Sequence, residues 1–161
     1  MPAGCGICDH PHVPEIAADR QTFRMHARRL TIYPAGIADT VIEASDDARW
    51  AFVIVFGSTA RGDGTHLGDI DVYAEPTGAA ADHAWVLHAR DRMQAANVDF
   101  LLPPDGVRLS DRLAAGEEFA KQMLREALVL SDHAHVIDGL RDRYLERANT
   151  PGSSGAQTRR G

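Results

Sequence analysis

The chain has 161 residues, 44% of them apolar and 25% charged, and a formal net charge of −6. That size and balance suit one globular domain with a real core. The acidic charge argues against a general nucleic-acid binder, which wants a basic face, and no apolar run reaches the length of a membrane span.

Arginine dominates the basic residues, and Lys121 is the only lysine. Composition bias explains this better than recognition chemistry, although arginine forks still bind phosphate bidentately. Two cysteines do not make a disulfide framework, and no basic region followed by an apolar core opens the chain. A cytoplasmic protein is the expectation.

Residues 1–33 read as an N-terminal arm. It opens with Cys5-Gly-Ile-Cys8-Asp-His10-Pro-His12. Cys5, Cys8 and His10, with His26 as a distant fourth ligand, are compatible with a small structural Zn²⁺ site. The second ligand pair lacks a clear spacing, so a loosely ordered leader with free thiols stands open beside it. Further on, Arg20, Arg24, Arg28 and Arg29 recur at near-helical spacing with Phe23, Ala27 and Leu30 between them. A solvated basic face of an amphipathic helix accounts for them better than a grip on a polyanion.

The span 34–148 reads as the main domain. Pro34 suits the first turn of a helix reaching Ser45, with Ile37, Val41 and Ala44 as its apolar stripe. Trp50 to Phe56 is almost wholly apolar, as a strand buried on both faces would be. A second strand, Asp69 to Glu75, follows a glycine-rich turn; Asp69, Asp71 and Tyr73 line one face, and Ile70, Val72 and Ala74 face packing helices. Ala81, Trp85, Ala89, Met93 and Ala96 mark a helix over 79–96, where His83 and His88 read as bystanders.

Val98 to Leu102 is the third strand. It carries Asp99, and an aspartate in an apolar strand is costly unless paired or metal-bound. Short helices are expected near Arg108–Ala114 and Glu118–Ala127, the latter with Phe119, Ala120, Met123 and Leu124 as a stripe. A short strand at Leu128–Leu130 comes next. Val136, Leu140 and Tyr144 fit a last helix, serving the core or a homodimer contact. Residues 149–161 are small and polar and read as a disordered tail.

Chemistry concentrates in Gly57-Ser-Thr-Ala-Arg-Gly62 and Asp69-Ile-Asp71. Two positions apart on a strand, Asp69 and Asp71 point the same way with Cα atoms about 6.5 Å apart, close enough to hold one hard cation. Backbone N–H groups at Gly57-Ser58, where a strand meets a short helix, can cradle a phosphate.

These segments resemble the Gly-Ser and Asp-x-Asp signature of the minimal nucleotidyltransferases of the DNA polymerase β superfamily, with Asp99 as the third strand carboxylate. The resemblance spans roughly residues 36 to 131. Two positions differ: Thr59 follows Gly-Ser where the family often has Arg, and Gly68 precedes Asp69 where Ser is common. Neither is a metal ligand.

The resemblance implies an α/β (α+β) fold, a small mixed β-sheet flanked by helices. It also implies Mg²⁺-dependent transfer of a nucleoside monophosphate from ATP or another NTP to an acceptor hydroxyl. Asp69, Asp71 and Asp99 would bind Mg²⁺, and Asp99 would take the acceptor's proton. Gly57, Ser58, Arg61 and Gly62 would hold the phosphates. Implied acceptors are a small molecule of aminoglycoside type, a tyrosine of a partner protein as in toxin–antitoxin pairs, or an RNA end. The competing expectation is a nucleotidyltransferase-fold binding module, antitoxin-like, that covers a partner without turnover.

Overall fold

A computed structural model of the chain describes residues 13–78 and 83–145. Its centre is a mixed sheet built from β1 (Trp50–Phe56), β2 (Ile70–Pro76), β3 (Val98–Leu101) and β4 (Leu128–Ser131), in the order β3-β2-β1-β4. β1 runs antiparallel to β2 and β4, and β2 runs parallel to β3. This is the small mixed α+β sheet that the sequence leads one to expect. β1 has every residue buried because it is flanked by strands on both edges and by helices on both faces.

Two cores sandwich the sheet. On one face, α1 (Val13–Ala27), α2 (Ile37–Ser45) and α4 (His83–Ala95) cover Val53, Val55, Ile70, Val72 and Phe100 with Phe23, Val41 and Met93. On the other, α5 (Leu109–Ala114), α6 (Glu118–Glu126) and α7 (Ile137–Tyr144) cover Phe52, Ile54 and Tyr73 with Leu109, Leu113, Leu124 and Leu140. The remaining helix, α3 (Gly57–Arg61), is a single turn between β1 and the loop that leads to β2.

Packing runs continuously across residue 33. Phe23 is fully buried, and α1 lies along β4. Asp19 accepts a hydrogen bond from the Val129 N–H at 2.8 Å, and the Arg20 guanidinium donates to the Leu130 carbonyl at 2.8 Å. An outer strand would otherwise expose unpaired backbone groups to any passing chain, so two α1 side chains blunt that edge.

Three local expectations need correcting. α2 starts at Ile37 rather than at Pro34, because Gly36 caps it in the left-handed region (φ 85°) and the Pro34–Gly36 segment makes a turn. Tyr73 shares a face with Asp71 but is buried under α5 and α6, its hydroxyl bonded to Glu75. Phe119 leaves the apolar stripe of α6 and stands half exposed, edge-on to Phe56.

Candidate active site

Strand pairing assembles the carboxylates. β2 and β3 are parallel with Asp71 directly opposite Asp99, so both side chains emerge on one face of adjacent strands. Asp69 lies just outside β2, exposed, where the loop from α3 enters the sheet. Partial burial, then the charge of Asp99, then that of Asp69 push the Asp71 carboxyl up to about 6. Burial and the charges of Asp69, Asp99 and Asp71 also raise the Tyr33 hydroxyl. The three aspartates therefore act on one small region.

Gly57 closes the other side of that region. Its φ is +74°, and a Cβ there would lie 2.8 Å from Asp71 Oδ2. Only glycine lets the end of β1 come this close to the carboxylate without strain. The Ser58 hydroxyl is equally hemmed in: a Cβ at Gly64 would fall 2.9 Å from its Oγ.

The two positions that differ from the nucleotidyltransferase pattern have local explanations. Thr59 is buried, and its hydroxyl donates to the Asp69 carbonyl at 2.7 Å, fixing the backbone that carries the first aspartate. An arginine could not occupy that buried place. At Gly68 a Cβ would meet the Thr65 carbonyl at 3.1 Å and approach Leu30 and Ser58, so a serine would crowd the loop.

The phosphate cradle differs from its expected form. Glu126, at the end of α6, accepts a hydrogen bond from the Gly57 N–H at 3.2 Å and pairs with Arg61 at 2.8 Å. Arg61 also pairs with Asp63 at 3.0 Å, and Gln122 donates to Glu126 at 2.9 Å. One donor and one cation assigned to phosphate thus hold a carboxylate of the chain itself. Glu126 had no sequence signal beyond an acidic residue near a helix end.

Gly62 serves a different neighbour. It ends α3 in the left-handed region, and a Cβ there would lie 2.6 Å from His26 Nε2. His26 Nδ1 in turn hydrogen-bonds the Thr59 carbonyl at 2.7 Å. His26 therefore braces α3 from α1. Its proposed zinc companions Cys5, Cys8 and His10 lie outside the described residues.

Among the described residues, no group of three or more His, Cys, Asp or Glu side chains is assembled to hold a metal ion as it stands. The donor chemistry still fits a hard divalent cation. Asp71 and Asp99 face each other with no Arg, Lys or His partner among the described residues, and repulsion from Asp99 adds to the burial that raises Asp71. Such a cation takes oxygen ligands and would relieve that repulsion. Asp69 is exposed, so its side chain is free to turn toward the pair on a fast timescale.

No family model matches the sequence, and no curated protein matches it. Among solved structures, one described as "Crystal structure of the toxin-antitoxin with AMP-PNP" is similar at 16% identity. The match covers 68% of this chain and 85% of that one, with a TM-score of 0.45.

Proposed function

We propose that the chain is a metal-dependent nucleotidyltransferase that moves a nucleoside monophosphate from an NTP, ATP in the first instance, to an acceptor hydroxyl. The observation that carries this is the pairing of Asp71 with Asp99 across β2 and β3, with Asp69 one residue outside the strand and Gly57 against Asp71. Carboxylates converging without cationic partners are costly in a structural role and useful in a metal site.

In this reading Asp69, Asp71 and Asp99 hold Mg²⁺, which when bound neutralises triphosphate charge and favours ionisation of the acceptor hydroxyl. Asp99 takes the proton of that hydroxyl. The acceptor oxygen bonds to the α-phosphorus as the bond from that phosphorus to the bridging oxygen of the β-phosphate breaks. Pyrophosphate leaves with the bonding pair. Ser58 and the Gly57 N–H orient the β- and γ-phosphates, and Arg61 offsets their charge once Glu126 has withdrawn. The resemblance to minimal nucleotidyltransferases points to a partner protein of toxin–antitoxin type as acceptor, with an aminoglycoside-type small molecule as the alternative.

Glu126 favours a second reading, a binding module of the same fold with no turnover, since an internal carboxylate already fills part of the cradle. Thermal shift with Mg·ATP separates the two. An enzyme should show a rise in Tm that Asp69→Ala/Asp71→Ala abolishes; a module should show none. Glu126→Gln bears on the same point. It keeps the size of the side chain and removes the charge that competes with phosphate, so Mg·ATP is expected to bind about tenfold more tightly by titration calorimetry. Unchanged or weaker binding would mean that Glu126 holds the loop in its working form.

A further inference from the structure

The site stands at the ends of two strands that the chain does not join directly. Residues 77–97 separate β2 from β3, so Asp71 and Asp99 depend on pairing for their alignment. That pairing begins at Ile70 opposite Val98. At this point a side chain from elsewhere intervenes. Tyr33, on the turn between α1 and α2, accepts a hydrogen bond from the Ile70 N–H at 2.9 Å and donates to the Asn97 carbonyl at 2.7 Å.

We propose that Tyr33 is a positioning residue for the carboxylate cluster, its hydroxyl bridging the backbones of β2 and β3 where Asp69, Asp71 and Asp99 emerge. This rests on the nucleotidyltransferase reading and adds to it the group that sets the spacing of the metal-binding carboxylates. The bridge acts as an ordered water would, but it is tethered: the Tyr33 ring is buried in the core, packed with residues of α1 and α2. Ile70 lies between Asp69 and Asp71, and Asn97 lies two residues before Asp99. Asn97 itself has a positive φ of 60°, a turn conformation that asparagine adopts readily.

Thr59 completes the restraint from the opposite side by holding the Asp69 carbonyl. The carbonyl and the N–H of the Asp69–Ile70 peptide are therefore each held by a hydroxyl, from two different segments. Metal ligands are commonly oriented by such outer partners, whose loss costs about 10- to 100-fold in metal affinity or activity.

The test is Tyr33→Phe, which keeps the buried ring and deletes the bridge. The probe is Mn²⁺ alone, followed by electron paramagnetic resonance, with hydrogen exchange of the Ile70 amide in parallel. The control is a variant of the opposite core, Ile137→Val or Leu140→Ala, chosen for the same loss of Tm. Tyr33→Phe should bind Mn²⁺ at least about tenfold more weakly and lose Ile70 protection, while the control keeps wild-type Mn²⁺ affinity. Replacing Tyr33 with 4-aminophenylalanine, which restores the donor to the Asn97 carbonyl at the same place, should recover most of the affinity.

Mn²⁺ affinity within twofold of wild type in Tyr33→Phe would overturn the positioning role and leave the nucleotidyltransferase reading standing. Equal weakening in the control would also overturn it, since general loosening would then suffice. A wild-type protein that binds no Mn²⁺ at all would overturn both. Should Tyr33→Phe not fold, the 4-aminophenylalanine protein decides: wild-type affinity supports the bridge, and a tenfold loss in a folded protein contradicts it.

Discussion

Asp71→Asn is expected to abolish nucleotidyl transfer, by at least about 10³-fold, while making the protein more stable at pH 8 than the wild type. On the proposed function, the activity loss follows from removing a metal ligand, which would contribute several kcal/mol of charge stabilisation, about tenfold in rate for each 1.4 kcal/mol. The gain in stability follows from Asp71 itself. Its carboxyl is pushed up from its ordinary value of 3.8 to about 6 by burial, by Asp99 and by Asp69.

The folded protein therefore binds a proton that the unfolded chain releases between those two values. Stability rises as pH falls through about 6 and levels off below about 4. Above about pH 6 the ionised carboxylate weakens the fold. Asp71 is only half buried, so solvent screening holds the effect to about 1 to 2 kcal/mol, or roughly 2 to 6 °C in Tm. Asparagine carries no such charge, so the advantage of Asp71→Asn should be largest at pH 8 and vanish near pH 4. Mg²⁺ should raise the Tm of the wild type at pH 8 and leave that of the variant nearly unchanged. Circular-dichroism melts across this range are sufficient, and a variant less stable than wild type at pH 8 would mean that Asp71 is already compensated.

Gly57→Ala is expected to cost about 10²-fold in transfer rate as well as stability. A residue with a Cβ at φ +74° pays about 1 to 2 kcal/mol in backbone strain, and here that Cβ would press on Asp71 Oδ2 at 2.8 Å. Asp71 is short and fixed by its strand, so its carboxylate must turn away. A misplacement of about 1 Å is enough to cost the stated factor. Gly36→Ala supplies the comparison. It has the same sign of φ, at +85°, but meets nothing within 4 Å of the added Cβ. The two variants should therefore lose similar stability in urea melts, and only Gly57→Ala should lose activity. Equal activity in both would separate Gly57 from the chemistry.

Much of this site was legible in the sequence, because its signals are local. The apolar run ending at Gly57 marked a central strand, and the alternation around Asp71 and Asp99 put each on a definite face. Both features depend on period-two geometry, which pairing preserves. Contacts made across long separations were not legible. Glu126 reaches Gly57 over 69 positions and Tyr33 reaches Ile70 over 37. Nothing near Glu126 distinguishes it from other helix carboxylates, and Tyr33 reads only as an apolar residue before a proline. Tyr73 was misplaced for a related reason. Alternation identifies a face, but only tertiary packing of α5 and α6 decides how much of that face they cover. The turn before α2 has a mixed signal, since Pro34 suits a helix start while Gly36, two residues on, delays it.

The most direct measurement is transfer from labelled ATP. The wild type and Asp69→Ala/Asp71→Ala are each incubated with Mg²⁺, a lysate of the source cells and ATP labelled at either the α- or the γ-phosphate. Label from the α-phosphate should join an acceptor covalently as pyrophosphate appears, with none from the γ-phosphate and none with the double variant. Transfer of the γ-label instead, or equal labelling by the double variant, would contradict the account, as would a wild type that neither labels an acceptor nor gains thermal stability from Mg·ATP.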